Sequence, residues 1–353
     1  AYENEMELLG DEVYQPLDQT VTPNPNVTWE KENSYNLGVD MHFFDDRIIW
    51  ESDFFYKYRN DILLSRSGSF PMYAGLDLPP ENIGRVKNRG VETSITYNSN
   101  ITKDIHWKVS LNGSFSRNTV VNWDEPEDRP EWQKVEGHPM QTPLYYETDG
   151  IFEDWDEVNS RPSWEGAEPG DVIFKDVNGD GQINSKDRVR QDYNDIPEVT
   201  FGANFSFTYK NLDLSMLWQG ATNVRRYNKP RVGAVSNMYE EIANNHWTPN
   251  NRDAKWPRAW DRESMYWSSF KGANTFFWEN ASYLRLKNFE IGYTLPEDLT
   301  SQAFIRKFRV YVSGQNVLTF DDLSFADPEA NTEDTYGYYP IMKVINFGAS
   351  IKF

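Results

Sequence analysis

The stretch VTFGANFSFTYKNLDLSMLWQG, residues 199–220, alternates apolar and polar residues with a period of two. Successive side chains of a β-strand point to opposite faces, so each half of this stretch has one apolar and one polar face. The apolar positions are Val199, Phe201, Ala203, Phe205, Phe207, Tyr209, Leu212, Leu214, Met216 and Trp218. The alternation restarts after Lys210-Asn211, which predicts two antiparallel strands joined by a tight turn.

The same alternation recurs along the chain in segments as long as a tilted strand needs to cross a bilayer, about 9–11 residues. It predicts about nine strands. They cover residues 28–44, 46–63, 84–98, 103–118, 199–209, 212–221, 282–295, 306–319 and 342–353. In the seventh of these strands the apolar parity slips between Leu286 and Phe289, which predicts a β-bulge near Lys287-Asn288.

The connections between the predicted strands alternate strictly between short and long. The short ones are 45–46, 99–102, 210–211 and 296–305, and the long ones are 64–83, 119–198, 222–281 and 320–341. Outer-membrane barrels have short periplasmic turns and long extracellular loops. The pattern therefore predicts an all-β fold, a transmembrane antiparallel β-barrel with long extracellular loops.

In this arrangement residues 1–27 form an extracellular loop that leads into the barrel, and residues 28–353 form the barrel part. Nine strands do not close a bacterial barrel, and an open sheet would leave unpaired backbone groups in lipid. The missing strands must therefore come from the same polypeptide or from another chain.

The composition narrows the possible functions. The chain has a formal net charge of −20 and no cysteine, which argues against a nucleic-acid partner and excludes disulfides and thiolate zinc sites. The N-terminus lacks the features of a signal peptide, so a mature or truncated chain is expected. Mean hydropathy is −0.75, and no apolar run is long enough for a transmembrane helix.

The sequence contains none of the common catalytic motifs. Its four histidines lack a HExxH partner, and a GxSxG elbow, a P-loop and a Rossmann fingerprint are missing. The prediction is therefore that the protein is not an enzyme. Its abundant carboxylates still leave a glycosidase pair open as an alternative.

The segment DVNGDGQINSKD, residues 176–187, matches the spacing of a twelve-residue Ca²⁺ loop. The predicted ligands are Asp176, Asn178, Asp180, Gln182 through its backbone carbonyl, Asn184 and Asp187. Asp187 stands where such loops usually have glutamate, and its shorter arm also admits Mg²⁺. The alternative is an Asx-rich turn that satisfies its own backbone. A bound cation would order the long loop 119–198.

The two longest loops are rich in aromatic residues, which have two possible roles. They form a lid that stacks on a ligand and packs against a partner protein, or they build small cores within the loops. The candidates are Tyr145, Tyr146, Trp155 and Trp164 in loop 119–198, and Trp247, Trp256, Trp260 and Trp267 in loop 222–281.

Five stretches in order resemble the C-terminal barrel of SusC/RagA-type TonB-dependent transporters. They are NPNVTWEKENSYNLGVD (24–40), NIGRVKNRGVETSI (82–95), ASYLRLKNFEIGYTLP (281–296), FRVYVSGQNVLTF (308–320) and YPIMKVINFGASIKF (339–353). The resemblance implies the last nine strands of a barrel of about 22 strands. It also implies a plug domain, which is absent from this chain, and a terminal Phe353 that acts as the membrane-insertion signal.

The functional expectation from this resemblance is import across the outer membrane of a Gram-negative bacterium. The cargo would be an oligosaccharide or a peptide, the energy would come through TonB, and a SusD-like surface lipoprotein would be the partner. The alternative is a secreted, β-rich, Ca²⁺-dependent carbohydrate-binding protein with a β-sandwich fold. The two differ in whether the apolar faces meet outer-membrane lipid or a dry core.

Overall fold

The computed structural model describes the backbone of residues 7–9, 12–14, 23–66, 78–227, 240–259, 274–301, 304–324, 327–330 and 341–353. Its main feature is a nine-stranded sheet in which every strand pairs antiparallel with its neighbours in sequence. The strands are β1 (Lys31–Phe43), β2 (Ile48–Leu64), β3 (Glu81–Asn100), β4 (Ile105–Asn122), β5 (Val199–Tyr209), β6 (Leu212–Thr222), β7 (Tyr283–Thr294), β8 (Lys307–Asp321) and β9 (Val344–Lys352). The nine predicted strands are confirmed.

The strand boundaries differ from the prediction mainly at the long-loop end of the sheet. There β4 continues to Asn122, past the predicted end at residue 118, and β3 begins at Glu81 where 84 was expected. The backbone of Val120 exchanges hydrogen bonds with the loop, because Gly137 N–H donates to it and it donates to the carbonyl of His138. Strand pairing thus continues into the loops, beyond the alternating pattern.

The predicted bulge in β7 is confirmed. Asn288 pairs with Leu217 of β6 and Leu286 pairs with Trp218, so Lys287 is an extra residue between them. On the other side the register of β7 and β8 shifts at the same place, where Asn316 of β8 has a φ of 53°. Bulges of this kind bend a strand and turn a side chain to the other face.

One face of the sheet is apolar across all its strands. A representative row consists of Met41, Trp50, Ile95, Leu111, Ala203 and Trp218. No second layer covers this face among the described residues, whose other sheets are two-stranded. Phe201, Phe347 and Ile351 are accordingly 36%, 82% and 49% exposed. A sheet-on-sheet core, as in a β-sandwich, is therefore excluded for the described part of the chain.

The buried core lies in the long loops and not against the sheet. The loop between β4 and β5 contains two short antiparallel strand pairs, Leu144–Tyr146 with Arg188–Arg190 and Thr148–Ile151 with Val172–Phe174. It also contains a helix, Trp155–Ser160, and the 3-10 turns Glu131–Gln133 and Ser185–Asp187. The helix begins where the Asp154 side chain accepts hydrogen bonds from the backbone N–H groups of Asp156 and Glu157.

The loop between β6 and β7 adds a strand pair, Arg225–Tyr227 with Trp278–Asn280, the helix Glu240–Asn245 and the 3-10 turn Thr275–Phe277. Elsewhere the chain has the hairpin Glu7–Leu9 with Glu12–Tyr14 and the helix Glu297–Thr300. None of the helices among the described residues combines the length and the apolar composition that a membrane crossing requires.

Candidate functional site

The face of the sheet opposite the apolar one is polar and carries charges of both signs. One row across it consists of Asp40, Glu51, Ser94, Asn112, Gly202 and Gln219. Beside this row lies a hollow of about 290 Å³ that Glu51, Asp53 and Glu92 line together with hydroxyl and amide side chains. This part of the polar face is acidic and rich in hydrogen-bonding groups.

A second hollow, of about 370 Å³, lies on the polar face nearer the long loops. Its lining includes Lys57, Arg59, Glu30 and Glu32. Arg59 lies 3.0 Å from Glu32 Oε2 and 3.8 Å from Glu30 Oε2, so this hollow carries charges of both signs.

A third charged group lies on the polar face near the short turns. Arg309 of β8 donates from Nε to Asp213 Oδ1 of β6 at 3.0 Å and from Nη2 to Glu290 Oε1 of β7 at 2.7 Å. Together, the three groups form a hydrophilic wall that is suited to solvating a polar solute along its length.

The two longest loops pack into one body, here called the loop module, made of the described parts of 123–198 and 223–282. Phe276 of the second loop packs against a cluster in the first loop and against a cluster in its own loop. The first cluster comprises Tyr146, Phe152, Val158, Ala167, Val172, Ile173, Phe174 and Ile183, and the second comprises Ile242, Trp256 and Phe277. The backbone N–H of Thr148 also donates to Thr275 Oγ1 at 3.1 Å.

A buried ion pair joins the two loops of this module. Arg258 donates from Nε and Nη2 to the two carboxylate oxygens of Asp171, at 3.0 and 3.3 Å, and from Nη1 to Glu168 at 2.6 Å. Asp171 is 0% and Arg258 9% exposed. Gly170, beside Asp171, has a φ of +88°, and a Cβ atom there would lie 2.6 Å from the Trp247 ring. No pattern in the sequence indicates this pair, because its partners lie in different loops.

The aromatic candidates divide by exposure. Tyr146 is 1% and Trp256 2% exposed, so both are core residues of the loop module, which is the second of the two roles expected for these aromatic residues. Trp164 packs edge-on against Tyr146 at 5.4 Å between ring centroids. A side chain enclosed by its own loop presents no surface to a ligand.

The other aromatic candidates reach the surface to different degrees. Tyr145 lies between Tyr227 and Trp278, at 5.8 and 5.5 Å between ring centroids, and burial raises the pKa of its hydroxyl. Trp247 is half-buried, whereas Trp155 is 56% exposed. Trp260 and Trp267 lie outside the described residues. A ligand contact at Trp155 stays a prediction.

The segment 176–187 folds into a compact loop that its own side chains hold. Asp176 accepts backbone hydrogen bonds from Gly179 and Gly181, both at 2.8 Å, and Asp180 accepts one from Gln182 at 2.9 Å. That bond and the one from the Asn178 amide lower the pKa of Asp180, which keeps the carboxylate ionised.

Asp187 closes the loop. It is 0% exposed, and its two carboxylate oxygens accept from the backbone N–H groups of Val177, at 3.0 Å, and Asn184, at 2.8 Å. A carboxylate oxygen that accepts one hydrogen bond keeps a second lone pair, so Asp176, Asp180 and Asp187 retain capacity for a cation.

The residues of this loop are compatible with a metal ion but also with the Asx-rich turn. Among the described residues, we find no group of three or more His, Cys, Asp or Glu side chains arranged to hold a metal ion. The predicted ligand set also includes two asparagine side chains, Asn178 and Asn184, and the backbone carbonyl of Gln182. The cation site at residues 176–187 stays a prediction.

A further contact that the sequence did not indicate involves Arg285 of β7, which is 1% exposed. Its guanidinium binds Asp327 Oδ2 at 2.7 Å, the carboxylate of Glu329, and Thr319 Oγ1 of β8 at 2.9 Å. Lys287, the bulge residue, lies 2.6 Å from Glu329 Oε1. These two cations hold part of the loop between β8 and β9 against the polar face of the sheet.

Comparison with known proteins agrees with this architecture. A family model described as "TonB dependent receptor-like, beta-barrel" matches residues 9–317. TonB-dependent receptor P3 of Formosa agariphila is 29% identical over 374 residues, which cover 98% of this chain and 36% of that protein. TonB-dependent receptor SusC of Bacteroides thetaiotaomicron is 25% identical over 351 residues, or 94% of this chain and 32% of SusC. The chain thus spans about a third of the length of these relatives.

Solved structures agree on the fold. The RagAB peptide transporter superimposes with a TM-score of 0.66 at 23% identity, over 98% of this chain and 38% of the matched one. The RagAB peptide importer in the "closed-closed" state gives a TM-score of 0.63 at 22% identity over the same fractions of the two chains. At these identities the likeness shows the fold, a section of barrel wall.

Proposed function

Since this chain belongs to the TonB-dependent receptor-like β-barrel family, we propose that it forms part of the barrel wall of an outer-membrane importer for a bulky, polar nutrient. The resemblance to SusC/RagA-type transporters and the predicted antiparallel barrel fold are confirmed by the family model, the relative SusC and the RagAB structures. The observation that carries the proposal is the nine-stranded sheet with an exposed apolar face and a charged, hydrophilic opposite face.

The composition of the polar face suits the passage of a polar solute along it more than tight binding of that solute. Its hydroxyl, amide and charged groups lie in rows along the strands, so a solute can exchange one set of hydrogen bonds for the next. Conduction needs sites that favour entry but release the solute again. The hollow beside Glu51, Asp53 and Glu92 is acidic and disfavours anionic cargo there.

The proposed cargo is an oligosaccharide or a peptide. The peptide alternative is supported by RagAB, which is described as a peptide transporter, and the oligosaccharide alternative comes from the resemblance to SusC/RagA-type transporters. The proposed partners are a SusD-like surface lipoprotein on the long-loop side and TonB, which would act through parts of the protein outside this chain. The proposed location is the outer membrane of a Gram-negative bacterium.

Uptake by the full-length transporter tests this function. A strain that lacks the gene is given size-fractionated oligosaccharides or peptides as the sole carbon source, with and without a plasmid copy. We expect growth on one class to depend on the plasmid copy and to be lost again when TonB is deleted. Equal growth with and without the gene on both classes, or recovery of the protein in the soluble fraction without detergent, would contradict the proposal.

We further propose that segment 176–187 binds Ca²⁺, with Mg²⁺ as the competing ion, and that the ion orders the loop module. A ligand present at about 100 times its Kd stabilises the native state by about 2.7 kcal/mol. Aspartate carboxylates are charged at neutral pH, and hydrogen bonds from the Gln182 backbone and the Asn178 amide lower the pKa of Asp180 further. Cation binding should therefore persist at neutral pH and weaken in acid, as the carboxylates of the loop become protonated.

The test of the cation site is calorimetric titration of the full-length protein with Ca²⁺ and then Mg²⁺, together with limited proteolysis of the loop with and without chelator. We expect Ca²⁺ to slow cleavage within 123–198, and the double variant D176N/D180N to lose both the binding heat and the protection. D156N, on an exposed position of the same loop, is the matched control. No binding heat in the wild type would leave the Asx-rich turn as the explanation.

A further inference from the structure

Three basic side chains alternate along the outward face of β3: Arg85, Lys87 and Arg89. They share this face with Val91 and Ile95 of the apolar surface, whereas the intervening side chains of β3 point to the polar face. The pairing with β2 confirms the assignment of faces, since Lys87 lies opposite Tyr58 and Arg89 opposite Tyr56. Cations thus continue the apolar surface towards one end of the strand.

That end of the strand is the long-loop end. β3 begins at Glu81, directly after a long connection, and ends at Asn100, before the short turn to β4. The neighbouring strands place tyrosines at the same level, and Tyr35 and Tyr56 lie 6.5 Å apart between ring centroids. Aromatic residues of membrane barrels favour the level of the lipid headgroups. The cations therefore lie at the headgroup level of the leaflet on the long-loop side.

The described residues near this strand leave the charges of Lys87 and Arg89 without a paired carboxylate. Arg89 lies directly opposite Arg117 of β4, and like charges in directly opposed positions destabilise a sheet. Arg117 is neutralised by Glu198 at 3.0 Å, and it also lies 3.7 Å from Asp192, a carboxylate that contacts His138 at 3.0 Å. Among the described residues we find no hydrogen-bond or ion-pair partner for the side chains of Lys87 and Arg89. This surplus of positive charge occurs in a chain whose net charge is −20.

The other charges nearby do not cancel this surplus. Asp61 binds Lys31 at 2.8 Å, so its charge is matched by a different cation, although Arg85 also lies within its field. Arg85 and Arg89 are exposed and Lys87 is half-buried. An anion that approaches from the membrane side would therefore meet three basic side chains on one strand.

We propose that Arg85, Lys87 and Arg89 bind the phosphate groups of a lipid headgroup in the leaflet on the long-loop side. Guanidinium and ammonium groups bind phosphate through charge-assisted hydrogen bonds, and arginine does so with a planar pair of donors. Alternate residues of a strand lie roughly 6.6 Å apart, so the three cations span about 13 Å. That length fits a headgroup with more than one phosphate.

This inference goes beyond import and rests only on the placement of the sheet in a membrane. The full-length protein is purified and mixed with a lipid whose headgroup carries two phosphates, with the same lipid after phosphatase treatment, or with inorganic phosphate alone. Retained lipid is measured by native mass spectrometry. The triple variant R85Q/K87Q/R89Q is compared with the wild type and with K57Q/R59Q, whose substituted residues lie on the neighbouring strand at a similar level but face the polar side.

We expect the wild type and K57Q/R59Q to bind the phosphorylated lipid at least tenfold more tightly than the dephosphorylated lipid. The triple variant should lose that preference. The single variants K87Q and R89Q should each lose part of it, and they test the proposal if the triple variant fails to fold. Equal binding of both lipids by the wild type, an unchanged preference in the triple variant, or equally tight binding of inorganic phosphate would overturn the proposal. Nutrient uptake is measured in a separate experiment, so the lipid-binding result can be interpreted even if the import proposal fails.

Discussion

At the scale of single residues, a buried pair of Arg258 and Asp171 joins the two longest loops. The guanidinium binds both oxygens of a carboxylate that is fully buried, and the two residues are 87 positions apart in sequence. Breaking a buried ion pair by removing one partner is costly, because the remaining charge stays in a poorly solvating environment. The packing of the loop module therefore depends on this pair.

We predict that R258A destabilises the loop module by roughly 3–5 kcal/mol, because Asp171 loses the guanidinium that neutralises it. The measurement is the rate of limited proteolysis within the two loops of the full-length protein, as a function of temperature. R252A is the matched control, since Arg252 makes an exposed pair with Asp154 at 3.4 Å. An exposed pair contributes about 0–1 kcal/mol, so equal effects of the two variants would contradict the prediction.

At the scale of elements, the bulge in β7 and the loop between β8 and β9 act together. Residues two apart in a strand share a face, so Lys287 lies on the same side as Arg285, and both cations reach Glu329. The bulge changes the parity only after Lys287, because Asn288 pairs with Leu217 where Leu286 pairs with Trp218. The bulge residue thus takes part in docking the acidic segment around Asp327 and Glu329 on the polar wall.

Removing one of these carboxylates tests the docking. We predict that E329A loosens the segment by roughly 1.5–3 kcal/mol, the range of a hydrogen bond to a charged group, while Asp327 still binds Arg285. Hydrogen exchange of residues 327–330 in the full-length protein measures the change. E297A, in the first turn of the short helix Glu297–Thr300, is the control and should leave this exchange unaltered. Unaltered exchange in E329A would mean that other contacts hold the segment.

At the scale of the whole molecule, the two faces of the sheet have different solvents. Leu111 is 49% exposed and has Ile95 and Ala203 as cross-strand neighbours on the apolar face. Its successor Asn112 has Ser94 and Gly202 as neighbours on the polar face. If the apolar face meets hydrocarbon, Leu111 contacts lipid, whereas the next residue, Asn112, contacts water.

Lysine scanning at this pair of positions measures that difference. We predict that L111K destabilises the folded barrel by about 2–4 kcal/mol, the cost of a lysine on the lipid face near the bilayer midplane. N112K should cost about 1 kcal/mol or less, because its ammonium group reaches water. Denaturant unfolding of the full-length protein in lipid vesicles gives both values. Equal costs would mean that the apolar face does not contact lipid.

By itself the sequence determined the nine strands, their faces and the bulge at Lys287. These features are local, because a strand that separates lipid from water must alternate with a period of two, and a slip in parity marks an extra residue. The alternation of short and long connections likewise predicts which end of the sheet faces the cell exterior. The predicted strand boundaries at the long-loop end, as in β4, are less accurate. Backbone pairing continues there beyond the segment in which apolar and polar residues alternate.

Only the tertiary structure decided how the loops pack and what their residues do. The same aromatic composition gave a buried Tyr146, a buried Trp256 and an exposed Trp155, and the pair of Arg258 and Asp171 joins segments far apart in sequence. Loop packing follows no period, because each contact depends on which distant segment supplies the other half. The membrane requires apolar and polar residues to alternate along every strand that crosses it. It requires no comparable pattern in the loops, which fold outside the membrane.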